Sequence, residues 1–349
     1  MNAKTACAFL LFGISPAIAQ GFAGLGTDAE GFSQPQRGYE LVFPREHGAH
    51  PDYRIEWWYV TANLTSADGE QYGLQWTLFR SALAPEENVG WKSPQVWFGH
   101  AAITGKDFHH ATERFARGGT GQAGATAAPF EAWIDEWRMA GDTLENVRLT
   151  ATGPDFAYDV ALSATGPLVL HGDKGFSVKS AKGQASYYYS QPHFAVDGTL
   201  TTPQGDIAVR GSAWLDREWS SQPLADDQDG WDWFSLSFDS GEKLMAFRLR
   251  DSSGGSFTSA TWIGADGSAT AYPDGRLVAV PGATSVVEGR AIPTSWRLSL
   301  AERQLDIQLD ALNPNAWIGA SIPYWEGPVT VKGSHAGRGY LEMTGYDPE

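Results

Sequence analysis

The segments that decide the fold are EWWYV at residues 56–60 and LQWTLFR at residues 74–80. With the Asp68-Gly69 turn between them they have the pattern of a β-hairpin, because apolar and polar residues alternate on both sides of a glycine turn. The pattern returns as GWDWF at residues 230–234 and LMAFRLR at residues 244–250. The copies lie roughly 170 residues apart, about the length of one domain. The repeat predicts two related β-domains in tandem.

Most of the remaining chain also has β patterns. Runs that alternate aromatic and polar residues, such as WFGHAAI at residues 97–103, are separated by short glycine turns. Regularly spaced antiparallel strands are typical of barrels and sandwiches. We predict an extended lead-in at residues 20–39, a first domain at residues 40–210 and a second domain at residues 211–349, with the boundary at Gly205–Gly211.

The N-terminus has the pattern of a secretory signal peptide at residues 1–19. Lys4 supplies a positive charge, an apolar run follows at residues 8–14, and AIA at residues 17–19 is a cleavage site. The run is too short to span a bilayer, and an uncleaved membrane anchor is the alternative interpretation. The single cysteine, Cys7, lies in this segment, so the mature chain has no thiol for a disulfide, a nucleophile or a metal site. We expect a periplasmic or secreted protein.

The composition excludes some partners and favours others. The formal charge is −16, and loss of Lys4 with the signal peptide takes it to −17. A chain this acidic is a poor partner for nucleic acids and anionic lipids. The sequence has 15 Trp, 12 Tyr and 17 Phe, which suits both apolar cores and an apolar cavity.

The strongest candidate for chemistry is WLDREW at residues 214–219. On a strand, Trp214, Asp216 and Glu218 share one face, and Leu215, Arg217 and Trp219 share the other. Two carboxyls beside aromatic rings suit acid/base work, because burial and mutual repulsion keep one of them protonated near neutral pH. The alternative is a structural network with an arginine such as Arg217.

A second cluster, FPREHGAHP at residues 43–51, leads into the first hairpin. His47, His50 and Glu56 could bind a metal, but His-x-x-His in a loop is weak evidence, and we predict no metal site. Glu56 opens an aromatic strand and is a candidate cavity carboxylate. Its alternative role is to pair with Arg54 or Arg80.

Further candidates are spread along the chain. His100 heads a strand and is expected to point into the first barrel, either as a catalytic group or as a satisfied core histidine. Tyr187 and Tyr189 share one strand face, where their hydroxyls could bind substrate or simply pack. Glu326 is the only cavity carboxylate that we predict in the final strands.

The most familiar hydrolase and nucleotide-binding motifs are absent from the sequence. There is no G-x-S-x-G, H-E-x-x-H or Walker motif. Acid/base chemistry on an apolar substrate remains, as does binding without chemistry, and we predict no cofactor.

These segments resemble the carotenoid 1,2-hydratase (hydroxyneurosporene synthase) and AttH-like family, whose members are often described as secreted hydrolases. The resemblance is found at residues 43–51, 56–59, 99–102, 214–219, 230–233 and 339–346. It covers nearly the whole mature chain and implies two lipocalin-like β-barrel domains. Related lipocalin-like folds also act as pericyclic cyclases or as plain lipid binders.

The resemblance also implies a reaction. In the family's hydratases, an Asp in the segment that matches Asp216 is thought to protonate an isolated C=C bond, after which water captures the cation. Trp58, Trp214 and Trp233 would stabilise that cation through their aromatic faces. The hydratases have His and Trp where this chain has Tyr187 and Tyr189, so the resemblance does not specify a carotenoid substrate.

We therefore expect an exported protein that binds an apolar or amphipathic small molecule near the domain boundary. Asp216 would be the general acid, Glu218 or Glu56 would position water, and His100 and Tyr187 would orient the substrate. A non-catalytic carrier of a lipophilic ligand and a hydrolase of unknown specificity are the alternatives. We expect no nucleic acid partner, and no membrane segment after signal cleavage.

Overall fold

The computed structural model describes residue 25, residues 29–86 and residues 88–346. The predicted signal peptide lies outside the described residues. The described chain is built from antiparallel strands in two nearly closed barrel sheets, which confirms the predicted all-β, lipocalin-like class. Its short 3-10 helices are Arg45–His47, Gly90–Lys92 and Ala301–Arg303. In the part of the chain that the structure describes, no helix is long and apolar enough to cross a membrane.

The first sheet contains strands β1 to β13. Its order is β4-β3-β2-β1-β13-β12-β9-β8-β7-β6-β5, and the short strands β10 and β11 also pair with β12. The strands are β1 (Ile55–Ser66), β2 (Gln71–Ala82), β3 (Gln95–Gly105), β4 (Phe108–Arg117), β5 (Ala123–Ala127), β6 (Phe130–Ile134), β7 (Trp137–Thr143), β8 (Asn146–Thr152), β9 (Ala157–Ala164), β10 (Val169–Leu170), β11 (Phe176–Val178), β12 (Ala185–Thr202) and β13 (Gly205–Ser220).

The second sheet has the order β17-β16-β15-β14-β25-β24-β22-β21-β18, with β23 paired to β24, while β19 and β20 form a separate hairpin. The strands are β14 (Gln228–Phe238), β15 (Lys243–Asp251), β16 (Ser256–Ile263), β17 (Ala269–Tyr272), β18 (Leu277–Pro281), β19 (Thr284–Val287), β20 (Arg290–Pro293), β21 (Ser295–Leu300), β22 (Leu305–Ala311), β23 (Trp317–Ile318), β24 (Tyr324–Gly333) and β25 (Gly337–Met343).

The two predicted hairpins occupy corresponding places, since β1–β2 and β14–β15 each open one sheet. Their turns contain Gly69 at φ 86° and Gly241 at φ 93°, a backbone conformation that residues with a Cβ rarely adopt. The aromatic repeat in the sequence therefore marks the same structural unit in both sheets.

The sheets change over between Ser220 and Gln228, beyond the boundary predicted at Gly205–Gly211. Strand β13 is continuous and pairs with β1 as far as Ser220. Gly205 is the first residue of β13 and pairs with Thr202 of β12, and Gly211 lies so close to the Asn63 carbonyl that a Cβ would meet it at 2.0 Å. Both glycines therefore belong to strand pairs of the first sheet.

Each sheet encloses an apolar core, and a third apolar cluster lies between them. In β1, Trp58, Val60 and Ala62 are buried in the first core, while Tyr59 on the opposite face belongs to the cluster between the sheets. The second sheet contributes its own outward-facing residues to that cluster, including Trp233. The outer faces of the two barrels thus pack on each other.

Candidate active site between the two sheets

A cavity of about 430 Å³ lies between the two sheets. Its volume is within the range of small-molecule sites. Both sheets contribute aromatic side chains to its wall, namely Trp57, Phe79, Phe98, Trp231, Trp233 and Phe247. The cavity is outside both barrel interiors, so the site depends on how the barrels pack against each other.

Asp216 of β13 is the best placed acid in this cavity. Its side chain is buried, and Oδ1 accepts hydrogen bonds from Trp214 Nε1 at 2.7 Å and from the Ser190 hydroxyl. Burial nevertheless dominates and raises the pKa of Asp216 to about 7. Asp216 and Glu218 share one face of β13, and both line the cavity. Trp214 supports Asp216 and is not itself part of the wall.

Glu218 and Lys179 form a buried ion pair in the cavity wall. The Lys179 Nζ is 2.8 Å from the Glu218 carboxylate, and the Ser186 hydroxyl also donates to Glu218. The ammonium lies 4.3 Å from the centre of the Phe247 ring, so it joins the two sheets. Lys179 was not among the site residues predicted from the sequence, and no periodic pattern around it offered a signal.

Glu342 of β25 is a second acid in the cavity, and the prediction that Glu326 is the only one in the final strands is wrong. Trp231 Nε1 donates to Glu342 at 2.6 Å, and burial raises the pKa of Glu342 to about 7. Strand alternation from Tyr340 could have indicated this residue, because Tyr340 belongs to the cluster between the sheets.

Glu326 lies on β24 directly opposite Glu342 and does not line the cavity. The Tyr59 hydroxyl donates to Glu326 Oε1, whereas Oε2 has no hydrogen-bond partner among the described residues. Burial and the nearby Glu342 raise the pKa of Glu326 well above its ordinary value. Burial thus favours the neutral form of this carboxyl, which lies behind the cavity wall.

His100 was predicted to point into the first barrel. It lines the cavity between the sheets instead. Its Nδ1 is 2.9 Å from the Tyr324 hydroxyl of the second sheet, and its Nε2 is 3.1 Å from Glu113. The physical reason is strand alternation: the next residue, Ala101, is in the first core instead.

Glu56 and Trp58 lie on the other face of β1, away from the cavity. Glu56 is fully buried and forms ion pairs with Arg80 and Arg217, which together hold the pKa of Glu56 well below its ordinary value despite the opposing effect of burial. Trp58 packs in the first core under the Arg217 guanidinium, 3.7 Å from the ring centre. Glu56 therefore has the alternative role, that of an ion-pair partner. Trp57, and not Trp58, lines the cavity.

Tyr187 and Tyr189 also face away from the cavity. Tyr187 bonds to the backbone of Gln36, and Tyr189 lies 2.6 Å from His47 Nδ1. Tyr188, between them, lines the cavity and accepts a hydrogen bond from Trp233 Nε1 at 3.0 Å. The two tyrosines do share one face, but the cavity position expected of them belongs to Tyr188.

The His47 and His50 loop serves the ion-pair network of Glu56. His50 Nε2 is 2.8 Å from Glu46, its Nδ1 is 3.1 Å from Glu56, and its ring stacks on Trp219. Within the described ranges, no group of three His, Cys, Asp or Glu side chains is arranged to hold a metal ion.

Comparison with known families identifies the chain. The model of the family described as AttH-like matches residues 34–346. The chain belongs to the AttH-like family. No curated protein is similar enough in sequence to count as a relative.

Solved structures support this membership. An AttH protein from Nitrosomonas europaea is 33% identical, with a TM-score of 0.82 over 90% of this chain and 100% of that one. Kievitone hydratase from Nectria haematococca is 16% identical, with a TM-score of 0.66 over 91% of this chain and 98% of that one. CghA, solved with Sch210972, is 13% identical, with a TM-score of 0.52 over 84% of this chain and 88% of that one. The last two show a shared fold.

Proposed function

We propose that this AttH-like protein binds an apolar or amphipathic small molecule in the cavity between its sheets and adds water across an isolated C=C bond. Asp216 is the general acid. The observation that carries the proposal is a buried carboxyl in an aromatic cavity, with its pKa raised to about 7. Such a group holds a proton near neutral pH and is acidic enough to transfer it.

The hydrogen bonds of Asp216 indicate which oxygen acts. Oδ1 is occupied by two donors, the Trp214 indole and the Ser190 hydroxyl, and the Tyr188 hydroxyl also donates to this carboxyl. A proton on Oδ1 would have to displace one of them, so the acidic proton is carried by Oδ2. The fixed Oδ1 holds the carboxyl in one orientation, which favours directional proton transfer.

The reaction balances with water as the only co-reactant. The alkene π electrons take the Asp216 proton and form a C–H bond, which leaves a cation on the more substituted carbon. Rings such as Trp57 and Trp233 face this cation and stabilise it. Water forms the C–O bond and releases its proton to a cavity carboxylate, for which Glu342 and Glu218 are the candidates, and return of that proton restores Asp216.

One structural neighbour supports a reaction of this kind. Kievitone hydratase shares the fold over nearly the whole chain, and its name describes a hydratase. The substrate class is proposed from the cavity itself, whose wall is mostly aromatic and aliphatic with a few carboxyls.

The decisive experiment compares wild type with Asp216→Asn. Purified protein is incubated with a panel of prenylated and isoprenoid alkenes in oxygen-labelled water, and mass spectrometry detects products that have gained one labelled water. We expect Asp216→Asn to lower turnover by at least about 100-fold, the usual contribution of a general acid, with ligand binding retained. Asp206→Asn on the exposed part of the same strand is the matched control and should keep full turnover.

Two results would contradict the proposal. Equal turnover by Asp216→Asn would remove Asp216 as the acid. If solvent extracts of the purified protein contain a bound lipophilic compound that is never hydrated, the protein is a carrier instead.

We also propose export through the N-terminal signal at residues 1–19. Sequencing of the mature N-terminus should begin at Gln20 in the periplasmic or secreted fraction. Retention of Lys4 in that fraction would contradict it.

A further inference from the structure

A buried histidine contacts the serine hydroxyl that donates to Asp216, and it has no part in the mechanism above. His171 follows β10, is fully buried, and does not line the cavity. Its Nε2 is 2.6 Å from the Ser190 hydroxyl, and its Nδ1 is 3.0 Å from the hydroxyl of Thr261. Thr261 belongs to β16 of the second sheet, so the chain of contacts crosses from one barrel to the other.

The direction of each hydrogen bond follows from counting protons. The Ser190 hydroxyl has one hydrogen and donates it to Asp216 Oδ1. Ser190 must therefore accept from His171, which requires the proton of the ring on Nε2. His171 is neutral, because burial and the charge of Lys179 hold its pKa well below the ordinary value. Its Nδ1 then has no proton and accepts from Thr261.

We propose that Thr261, His171 and Ser190 form a one-way chain of donors that ends on Asp216 Oδ1, so that the second barrel positions the acid carried by the first. Thr261 and His171 are positioning residues, since neither touches the cavity. The inference rests on the proposed role of Asp216 as the acid.

The chain has two effects on Asp216. It keeps Oδ1 as an acceptor, which leaves Oδ2 to carry the proton. It also stabilises the ionised carboxyl against burial, because successive hydrogen bonds polarise one another. The other charged or titratable groups around Asp216 are Glu218, Glu342, Lys179, Tyr59 and Tyr188.

The first test reads the state of His171 directly. Heteronuclear NMR of ring-labelled histidine, assigned with His171→Phe, distinguishes the two neutral tautomers. We expect the Nε2-protonated form in the wild type, both below and above the titration of Asp216. A ring protonated on Nδ1, or on both nitrogens, would overturn the proposal.

The second test measures the midpoint at which Asp216 titrates, from its carboxyl infrared band assigned with Asp216→Asn. Ser190→Ala removes the direct donor and should raise the pKa of Asp216 by about one unit. Thr261→Val acts at a distance and should raise it by a few tenths of a unit, roughly the share expected of cooperativity. Thr261→Ser keeps the hydroxyl and should restore the wild-type midpoint.

Two comparisons separate this role from a general structural one. Thr258→Val removes a hydroxyl from the other face of the same strand, where it bonds Asp274, and should leave the midpoint unchanged. In the Ser190→Ala background, Thr261→Val should have no further effect, because the link to Asp216 is already broken. A midpoint that Thr261→Val does not move, or moves equally in both backgrounds, would overturn the inference.

The measurement is independent of turnover, so the two proposals can fail separately. If Asp216→Asn retains full hydration activity, the proposed function fails while the donor chain is judged by the titration alone. If the titration contradicts the chain, the general acid is still judged by the turnover of Asp216→Asn.

Discussion

The two faces of strand β13 bury charged groups in opposite ways. On one face Arg217 lies between Glu56 and the ring of Trp58, and Arg80 completes the ion pairs. On the other face Asp216 meets neutral donors in an aromatic cavity. Glu56 and Asp216 are both almost fully buried, yet the pKa of Glu56 is lowered well below its ordinary value and that of Asp216 is raised to about 7.

The difference shows that the partners decide what burial does to a carboxyl. Two guanidinium groups offset the desolvation of Glu56 and keep it charged, which makes it a fixed anchor. Hydroxyl and indole donors offset only part of the desolvation of Asp216, which leaves it able to exchange a proton. One strand thus carries a structural ion pair and a candidate acid on adjacent residues.

The largest expected effect comes from breaking the anchor. Arg217→Met leaves Glu56 with one guanidinium and removes the contact with Trp58, so it should lower the free energy of unfolding by about 3–5 kcal/mol. Urea denaturation measures this loss. Arg210→Met is the matched control on the exposed part of β13, where the pair with Asp197 is solvated, and should change stability by less than about 0.5 kcal/mol. Equal losses would show that the ion pair between Arg217 and Glu56 does not anchor the fold.

The second prediction concerns stability against pH. The pKa of folded Asp216 is about 7 against an ordinary 3.8, so between these values the folded state binds a proton that the unfolded state lacks. Stability should therefore fall as pH rises through this window, and Asp216→Asn should remove on the order of 4 kcal/mol of that fall. For Glu56 the lowered pKa gives stability that is present above about pH 4.5 and lost as pH falls.

Urea denaturation at a series of pH values checks both directions. Asp216→Asn should flatten the fall in the free energy of unfolding as pH rises from about 4 to about 7. Glu56→Gln should flatten the loss of stability as pH falls below about 4.5, and it should also lower stability at neutral pH. If Asp216→Asn runs parallel to wild type at every pH, Asp216 is not the perturbed carboxyl. Glu342 titrates in the same window, so Glu342→Gln should flatten part of the same limb.

The smallest effect tests the faces of strand β12. Tyr188→Phe leaves the Trp233 indole without its acceptor and removes a donor from Asp216, so it should cost about 1 kcal/mol of stability and raise the pKa of Asp216. Tyr187→Phe, on the opposite face, should leave that pKa unchanged. Infrared titration of both variants checks this, and a shift only in Tyr187→Phe would reverse our assignment of the faces.

Strand alternation made part of the site predictable. Residues 214–219 read as a strand with Asp216 and Glu218 on one face, and both line the cavity. The repeat of the Trp hairpin likewise predicted one β-hairpin at the start of each sheet. These features follow from local periodicity, which a sequence shows directly.

Other site residues could not be found in that way. Alternation groups Tyr187 with Tyr189 and separates them from Tyr188, but it does not say which face meets the other barrel. The same ambiguity affected Trp57 and Trp58, and it led to the expectation that His100 would point into the first barrel. Glu342 and Lys179 approach Asp216 only because the second sheet packs on the outside of the first.

The sequence alone determined the all-β class, the repeated hairpin and the strand that carries Asp216, because periodicity and turn residues act over short range. Tertiary structure decided that the outer faces of the barrels enclose the cavity and that Arg217 pairs with Glu56. It also decided that Thr261, His171 and Ser190 form a line of contacts that ends at Asp216. The physical reason is that burial and partner charge set what a carboxyl can do, and both depend on residues distant in the chain.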